Sequence, residues 1–504
     1  MSSSTSRTVA IIGASYGGAR VAHLLAQGLP ERWRVVLIDR NSHMNHLYVL
    51  PRYSVLPGHE HKAFIPYKNV FLPPPAFDAP STSSPPSPID SSPHVFLHAA
   101  VTSLSEHSLV LDRAFPEHGV AESDRTLHFD FLVYALGSHL PAPINLWGPV
   151  ADEDVEKADV LDVSRGTKEG GVAWLKRFQK RVERASSVLV VGGGALGIQF
   201  ASDIAEIHPA TRVTLLHSRA RLLPRFDEGM HTEILSTLAT LNVCTILGDR
   251  LDLSSLQQKR TQDGERVVRT QSGREIRAEL VLLCTGQTPN TALLREAFPE
   301  SVIPDGPDRG MARVRRTLQL AKPAPIDALP SVLRHLSLAD LDHHDALPPT
   351  CPEVLPPPPA APTPAPDDDG ASEIEEDPAT RVAAEHVFAI GDAADAFGAV
   401  NAGHNAFFQG EVAARNVLRL VRRREGLAAA SEDRTLERYA PGPPAIKVSL
   451  GLNKSVYQFQ GVIGTKEQEP PDLDVHLIWR YYGYHVSRED LEADFEASAP
   501  ADAK

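Results

Sequence analysis

Two short glycine-rich turns, each entered by a run of aliphatic residues, constrain this chain more than any other feature. The first is Gly13-Ala14-Ser15-Tyr16-Gly17-Gly18, entered by Val9-Ala10-Ile11-Ile12. The second, about 180 residues later, is Gly192-Gly193-Gly194-Ala195-Leu196-Gly197, entered by Val188-Leu189-Val190-Val191. Around each, the pattern reads strand, turn, helix, strand: 8–12, 17–28 and 33–39 in the first unit, 189–191, 197–208 and 212–217 in the second. That context makes a glycine fingerprint informative, because the turn delivers free backbone N–H groups and a positive helix end to a pyrophosphate. Two such cradles predict two dinucleotides held together, the arrangement that passes a hydride from a nicotinamide to a flavin.

The two turns differ in detail. In the first, Ser15 occupies the place of the second glycine, and Asp39 follows Gly18 by 21 residues at the end of the next strand. A carboxylate there hydrogen-bonds a ribose diol, which favours an unphosphorylated adenosine ribose such as that of FAD. The second turn keeps Gly192, Gly194 and Gly197, but its second strand ends in His217-Ser218-Arg219 without a carboxylate. His217 or Arg219 is therefore expected to meet a 2′-phosphate, so NADPH should be accepted alongside NADH. Two further apolar runs end at glycine, Phe131 to Gly137-Ser138 and Leu280 to Gly286, and are read as strands returning the chain between nucleotide domains. Another, Glu385 to Gly391-Asp392, is followed by a helix predicted at about 406–423.

Length and composition bound the rest. A chain of 504 residues exceeds one core, so two or three domains are expected. The net charge of −14 disfavours phosphate backbones, and no nucleic-acid partner is predicted. Cys244, Cys284 and Cys351 show neither CxxC nor CxxxxC spacing, which argues against zinc and against a redox-active dithiol. No metal site is expected. Residues 73–93 are rich in Pro and Ser, and 322–380 contain the proline-rich 356–366 and the acidic run from Asp367 to Asp377; both are read as disordered insertions. The N-terminus lacks a signal-peptide core, so cytoplasm is the expected compartment.

With both turns in hand, the chain resembles the FAD-dependent pyridine nucleotide oxidoreductases, in the apoptosis-inducing-factor-like branch that contains the ferroptosis suppressor. The resemblance extends through His46, Pro51 to Gly58, Lys62 to Tyr67, Val213 to Ser218, Cys284-Thr285-Gly286, Val387 to Asp392 and Leu450 to Lys454. It implies an α/β fold of two Rossmann-like domains of the glutathione-reductase type plus a small C-terminal α+β domain. FAD-binding parts are expected at 1–150 and 291–430, an NAD(P)H-binding domain at 151–290 and the third domain at 431–504. In the last, Val448–Leu450 and Leu477–Tyr482 are read as strands. The aromatics Trp479, Tyr481, Tyr482 and Tyr484 are read first as its core and second as an apolar entrance.

By position, the resemblance gives FAD to Gly13, Ser15, Gly17, Gly18, Asp39, Arg52, Val101, Gly137 and Asp392, and NAD(P)H to Gly192, Gly194, Gly197, His217 and Arg219. Arg52 is expected near the flavin nucleotide and 399–403 near its ring system. Departures are Gln199 for a glutamate, Leu136 for a threonine, and Asn401 for a lysine. Gln199 and His404 are the only catalytic candidates, and neither His404 nor His46 is assigned as a proton donor. The predicted activity passes a hydride from NADH or NADPH through FAD to a small-molecule acceptor, a quinone or similar. Peripheral contact with a membrane or lipid-droplet surface is the second expectation for location. The alternative is a non-enzymatic flavoprotein that signals through its redox state.

Overall fold

The structure is a computed structural model, described here for residues 7–72, 92–146, 166–257, 260–262, 264–325, 377–427 and 435–492. Residues 73–91 and 326–376, most of the two expected insertions, lie outside the described residues, as does Cys351.

Arg7–Ile12, Trp33–Asp39, Phe131–Tyr134 and Thr380–Ala389 are runs with few charges, and they form the middle of a six-stranded sheet. Its order is 319–323, 380–389, 131–134, 7–12, 33–39, 95–98, with all neighbours parallel except the first pair. Central parallel strands lose water on both faces, which is why they read as continuous aliphatic runs rather than alternating ones. The antiparallel pair corrects one expected boundary. Lys322 pairs with Arg381 and Pro323 with Thr380, so the ends of the predicted 322–380 insertion belong to the sheet.

A second, four-stranded parallel sheet has the order Cys244–Leu247, Arg212–His217, Ser187–Val191, Leu280–Leu283. All five residues of Ser187–Val191 are buried. The two sheets are joined by a short antiparallel ribbon, Ser138–His139 against Thr288–Pro289. Asn290 laces it: its N–H donates to Gly137 O at 2.9 Å, its Nδ2 to Leu136 O at 2.9 Å, and its carbonyl accepts from Tyr134 Oη at 2.5 Å.

The helix predicted at about 406–423 runs over Gly403–Arg424 and packs against the first helix, Tyr16–Gly28. Glycines permit the approach. A Cβ on Gly17 would stand 2.7 Å from Ala406 O, and one on Gly410 would stand 2.7 Å from Gly17 O. This contact brings the start of the long helix to the first glycine turn.

The C-terminal unit is a three-stranded antiparallel sheet, Ile446–Leu450, Lys454–Phe459 and Val462–Glu467. Leu477–Tyr482, expected as a strand, instead lies largely within the helix His476–Tyr481. A short apolar run does not distinguish strand from buried helix by periodicity. In this helix Trp479 is 6% exposed and donates through Nε1 to Lys62 O at 2.8 Å. Tyr482 is also buried, so these aromatics form core against the first domain, while Tyr481 lies against Phe407.

Candidate functional site

Each glycine turn is built the same way. In the first, Gly13 sits at φ +93°, its N–H donates to Ile38 O at 2.8 Å, and a Cβ would overlap the carbonyl of Ala135. A Cβ on Gly18 would overlap Gly13 O. In the second, Gly192 sits at φ +121°, donates to Leu216 O at 2.8 Å, and a Cβ would overlap the carbonyl of Cys284. Gly197 meets Gly192 O as Gly18 meets Gly13 O. Close backbone packing of turn, strand and helix requires these four glycines, whereas Gly194 has nothing within 4 Å of a Cβ and faces open space. Ser15 and Gly194 are the N-caps of the two helices, and the Ser15 side chain makes no capping bond.

The residue ending the second strand of each unit ties down the turn. Asp39 Oδ2 accepts from Ala14 N–H at 2.8 Å, and its Oδ1 accepts from Asn41 N–H at 2.8 Å. Burial pushes its carboxyl up, and the two backbone N–H groups pull it back. Ala99 N–H donates to Asp39 O at 2.9 Å, so the chain carries Val101 past the same end of the sheet.

In the second unit His217 takes the place of Asp39. Its Nδ1 accepts from Gly193 N–H at 3.0 Å and its Nε2 donates to Arg221 O at 3.1 Å. These partners assign a neutral ring with the proton on Nε2. Burial holds the imidazole below its ordinary value, and the Arg219 charge adds to this. Both ring nitrogens expected at a 2′-phosphate thus have partners within the protein. Arg219 is exposed, and its guanidinium makes no hydrogen bond or ion pair among the described residues.

Asp392 stands where the linking ribbon meets the first domain. Its Oδ2 accepts from Ser138 Oγ and from Gln287 Nε2, each at 2.9 Å, one residue from either side of the ribbon. Burial raises its carboxyl, opposed by those two bonds. A cavity beside it is lined by Ala399, Val400, Asn401, Asn405 and Gln409. Tyr16 lies beneath this region, its ring 2.9 Å from where a Cβ on Gly403 would be. Its hydroxyl accepts from Leu47 N–H at 3.1 Å and shares a hydrogen bond with His46 Nδ1 at 2.9 Å. Burial lowers His46 to about 4, so it is neutral and no acid near neutrality. His404 is exposed on the first turn of the long helix.

Two expected positions make contacts elsewhere in the protein. Gln199 is buried and donates through Nε2 to Ser449 Oγ of the C-terminal sheet at 3.1 Å. Arg52, expected near a flavin nucleotide, has a fully buried guanidinium. It lies 3.0 Å from Asp203 Oδ2 and donates to the carbonyls of Gly451, Leu452 and Pro471. Asp203, Gln287 and Asn290 were not singled out from the sequence. Gln287 follows a glycine-ended strand and carried that signal; Asp203 carried none.

The donor set suits the groups the two turns predict. Both turns present backbone N–H groups at a helix start. An acidic residue stands at the first, and the second glycine of the other is open. Residues 7–302 match the family described as pyridine nucleotide-disulphide oxidoreductase. The chain belongs to this family. Its cofactors are accordingly FAD and NAD(P)H. It is 38% identical over 499 residues to Fe-regulated protein 8 of Mycosarcoma maydis, covering 97% of this chain and 98% of that protein. It is 25% identical over 316 residues to ferroptosis suppressor protein 1 of Taeniopygia guttata, covering 62% of this chain and 70% of that one. A solved structure of reduced Bacillus anthracis CoADR-RHD superposes with a TM-score of 0.52 at 15% identity, covering 90% of this chain and 61% of that chain. The last likeness concerns the fold. Among the described residues, no helix is long and apolar enough to cross a membrane.

Proposed function

We propose that this oxidoreductase passes reducing equivalents from NAD(P)H, held at the second turn, through FAD, held at the first, to a quinone or similar small apolar acceptor. The observation that carries this reading is the pair of matched turns joined by one ribbon, with Asp392 bonded to Ser138 in one of its strands and to Gln287 just before the other. When bound, FAD supplies the two-electron relay between donor and acceptor.

The chain's own residues set the geometry. Gly13 and Gly18 keep side chains out of the first cradle, and Ser15 offers a hydroxyl there without a competing capping bond. Asp39 holds Ala14 while leaving lone pairs toward a ribose diol. Asp392 anchors the ribbon, and so fixes how the two cradles face each other.

The acceptor side follows from the cysteines. Cys284 is buried beneath the Gly192 turn, where burial pushes its thiol up, and Cys244 is exposed on the edge strand of its sheet. With no CxxC or CxxxxC spacing in the chain, a dithiol relay has no support, and electrons leave directly to a small acceptor. Leu47 and Phe408, 50% and 53% exposed, belong to segments that meet at Tyr16, and Leu477, 46% exposed, lies one turn from Tyr481. Apolar side chains left in water near a polar cradle favour an apolar acceptor.

Stopped-flow bleaching of the protein's flavin by NADH and NADPH, then reoxidation by quinones, oxygen and one-electron dyes, tests the proposal. Rapid reoxidation by quinones is expected. A reduced protein that persists in air and ignores every quinone would overturn it.

A further inference from the structure

The second turn carries an asymmetry that bears on which donor it takes. This inference rests on the reading that the second turn holds the donor nucleotide. At the first turn a carboxylate both fastens the backbone and keeps acceptor capacity for a ribose diol. At the second, the imidazole of His217 fastens the backbone and keeps none. A neutral ring has one acceptor nitrogen, and Gly193 N–H occupies it at 3.0 Å. The other nitrogen donates to Arg221 O. Ring and turn pack closely, since a Cβ on Gly193 would stand 2.6 Å from the ring's Cγ, and the two hydrogen bonds hold the ring in this orientation.

Asp249 sits on the loop whose N–H donates to His217 O at 3.2 Å, but its side chain is turned to Ser272 Oγ at 2.6 Å and to Arg250 N–H at 2.9 Å. The loop after His217 carries three arginines. Arg221 donates to Phe226 O at 2.8 Å and Arg225 to Gly398 O at 2.6 Å. Arg219 alone of the three is exposed without such a bond among the described residues. Its backbone is held nonetheless, because Gly248 N–H donates to Arg219 O at 3.0 Å. A fixed backbone with an uncommitted guanidinium, beside a strand end that offers a diol no acceptor, is built to receive a phosphate.

We propose that this protein selects NADPH over NADH, with Arg219 as the receptor of the 2′-phosphate and His217 as the residue that denies a 2′-hydroxyl its partner. The two roles are separable. Arg219 adds affinity for the phosphorylated ribose, and His217 withholds it from the plain one.

The test uses the full-length, flavin-loaded protein and titrates 2′,5′-ADP and 5′-ADP by calorimetry, so that it reads binding rather than turnover. The 2′-phosphorylated nucleotide should bind about tenfold to a hundredfold more tightly, the range for one charge-assisted contact. Arg219→Ala should erase most of that ratio by weakening 2′,5′-ADP alone, and Arg219→Lys should restore part of it. His217→Asp transplants the arrangement of Asp39 and should tighten 5′-ADP. Should that variant lose its fold, the Arg219 pair still decides the matter. Equal affinity for the two nucleotides, or a ratio unmoved by Arg219→Ala, overturns the proposal and leaves the donor site in place. If neither nucleotide binds, the donor site itself is refuted and the selection with it.

Discussion

Arg52 Nε lies 3.0 Å from Asp203 Oδ2, and both side chains are fully buried. The first residue belongs to a short helix of the first domain, and the second to the helix that follows the second glycine turn. The ionic contact lacks hydrogen-bond alignment at Nε, but the Nη groups donate to Gly451, Leu452 and Pro471 of the C-terminal unit. Glu206, three residues on, accepts from Leu452 N–H at 2.7 Å. One guanidinium thus joins all three parts of the molecule.

Removing either charge should be costly. A buried ion left without its partner typically costs about 3–5 kcal/mol. Arg52→Met and Asp203→Asn should each lower stability on that scale in denaturant melts of the holoprotein. The double variant should cost clearly less than their sum. Strict additivity would show that the pair does not act as one unit.

The glycines should separate the two cofactors. Gly18→Ala forces a methyl into Gly13 O and should yield protein with little flavin absorbance. Gly197→Ala makes the same collision at the other turn and should keep its colour while losing bleaching by NADPH. Gly194→Ala meets no protein atom within 4 Å, so its melting temperature should stay unchanged while nucleotide affinity falls.

Acid should loosen the first domain through His46. Burial lowers its pKa from 6.5 to about 4, so the folded protein binds this proton more weakly than the unfolded chain does. Stability is then full above about 6.5 and falls as pH drops toward 4, by about 3 kcal/mol for this group. His43, lowered to about 4 by the same cause, adds in the same direction. His46→Asn, which retains an acceptor for Tyr16, should flatten the dependence of melting temperature on pH across that window.

The exposed apolar side chains of the segments that meet at Tyr16 should set acceptor preference. Leu47→Ser and Phe408→Ser are expected to raise KM for a long-chain quinone about tenfold, the scale of a lost apolar contact. They should leave the rate with a small water-soluble one-electron dye unchanged, which steady-state assays with both acceptors will show.

Much of this molecule is visible in local pattern. Val9 to Ile12 and Val188 to Val191 are aliphatic because parallel strands are dry on both faces, and the turns need glycine because carbonyls of Ala135 and Cys284 press on them. Asp39, at the end of its strand, is legible for the same reason: strand, turn and helix form a unit whose parts are near in sequence. Those interactions are short-range, so residue type and spacing carry them, and the paired cradles and α/β fold follow.

Contacts between distant segments are another matter. Arg52 and Asp203 are brought together only when two domains and a third close on one another, and no spacing announces it. His217 looks like a phosphate ligand until Gly193 N–H and Arg221 O are seen to take both its nitrogens. Leu477 to Tyr482 reads as a strand, but His476–Tyr481 is a helix whose Trp479 is seated against Lys62 O of a distant segment. A side chain's chemistry is set by what fills its remaining lone pairs and donors, and in these cases the partners come from the folded whole.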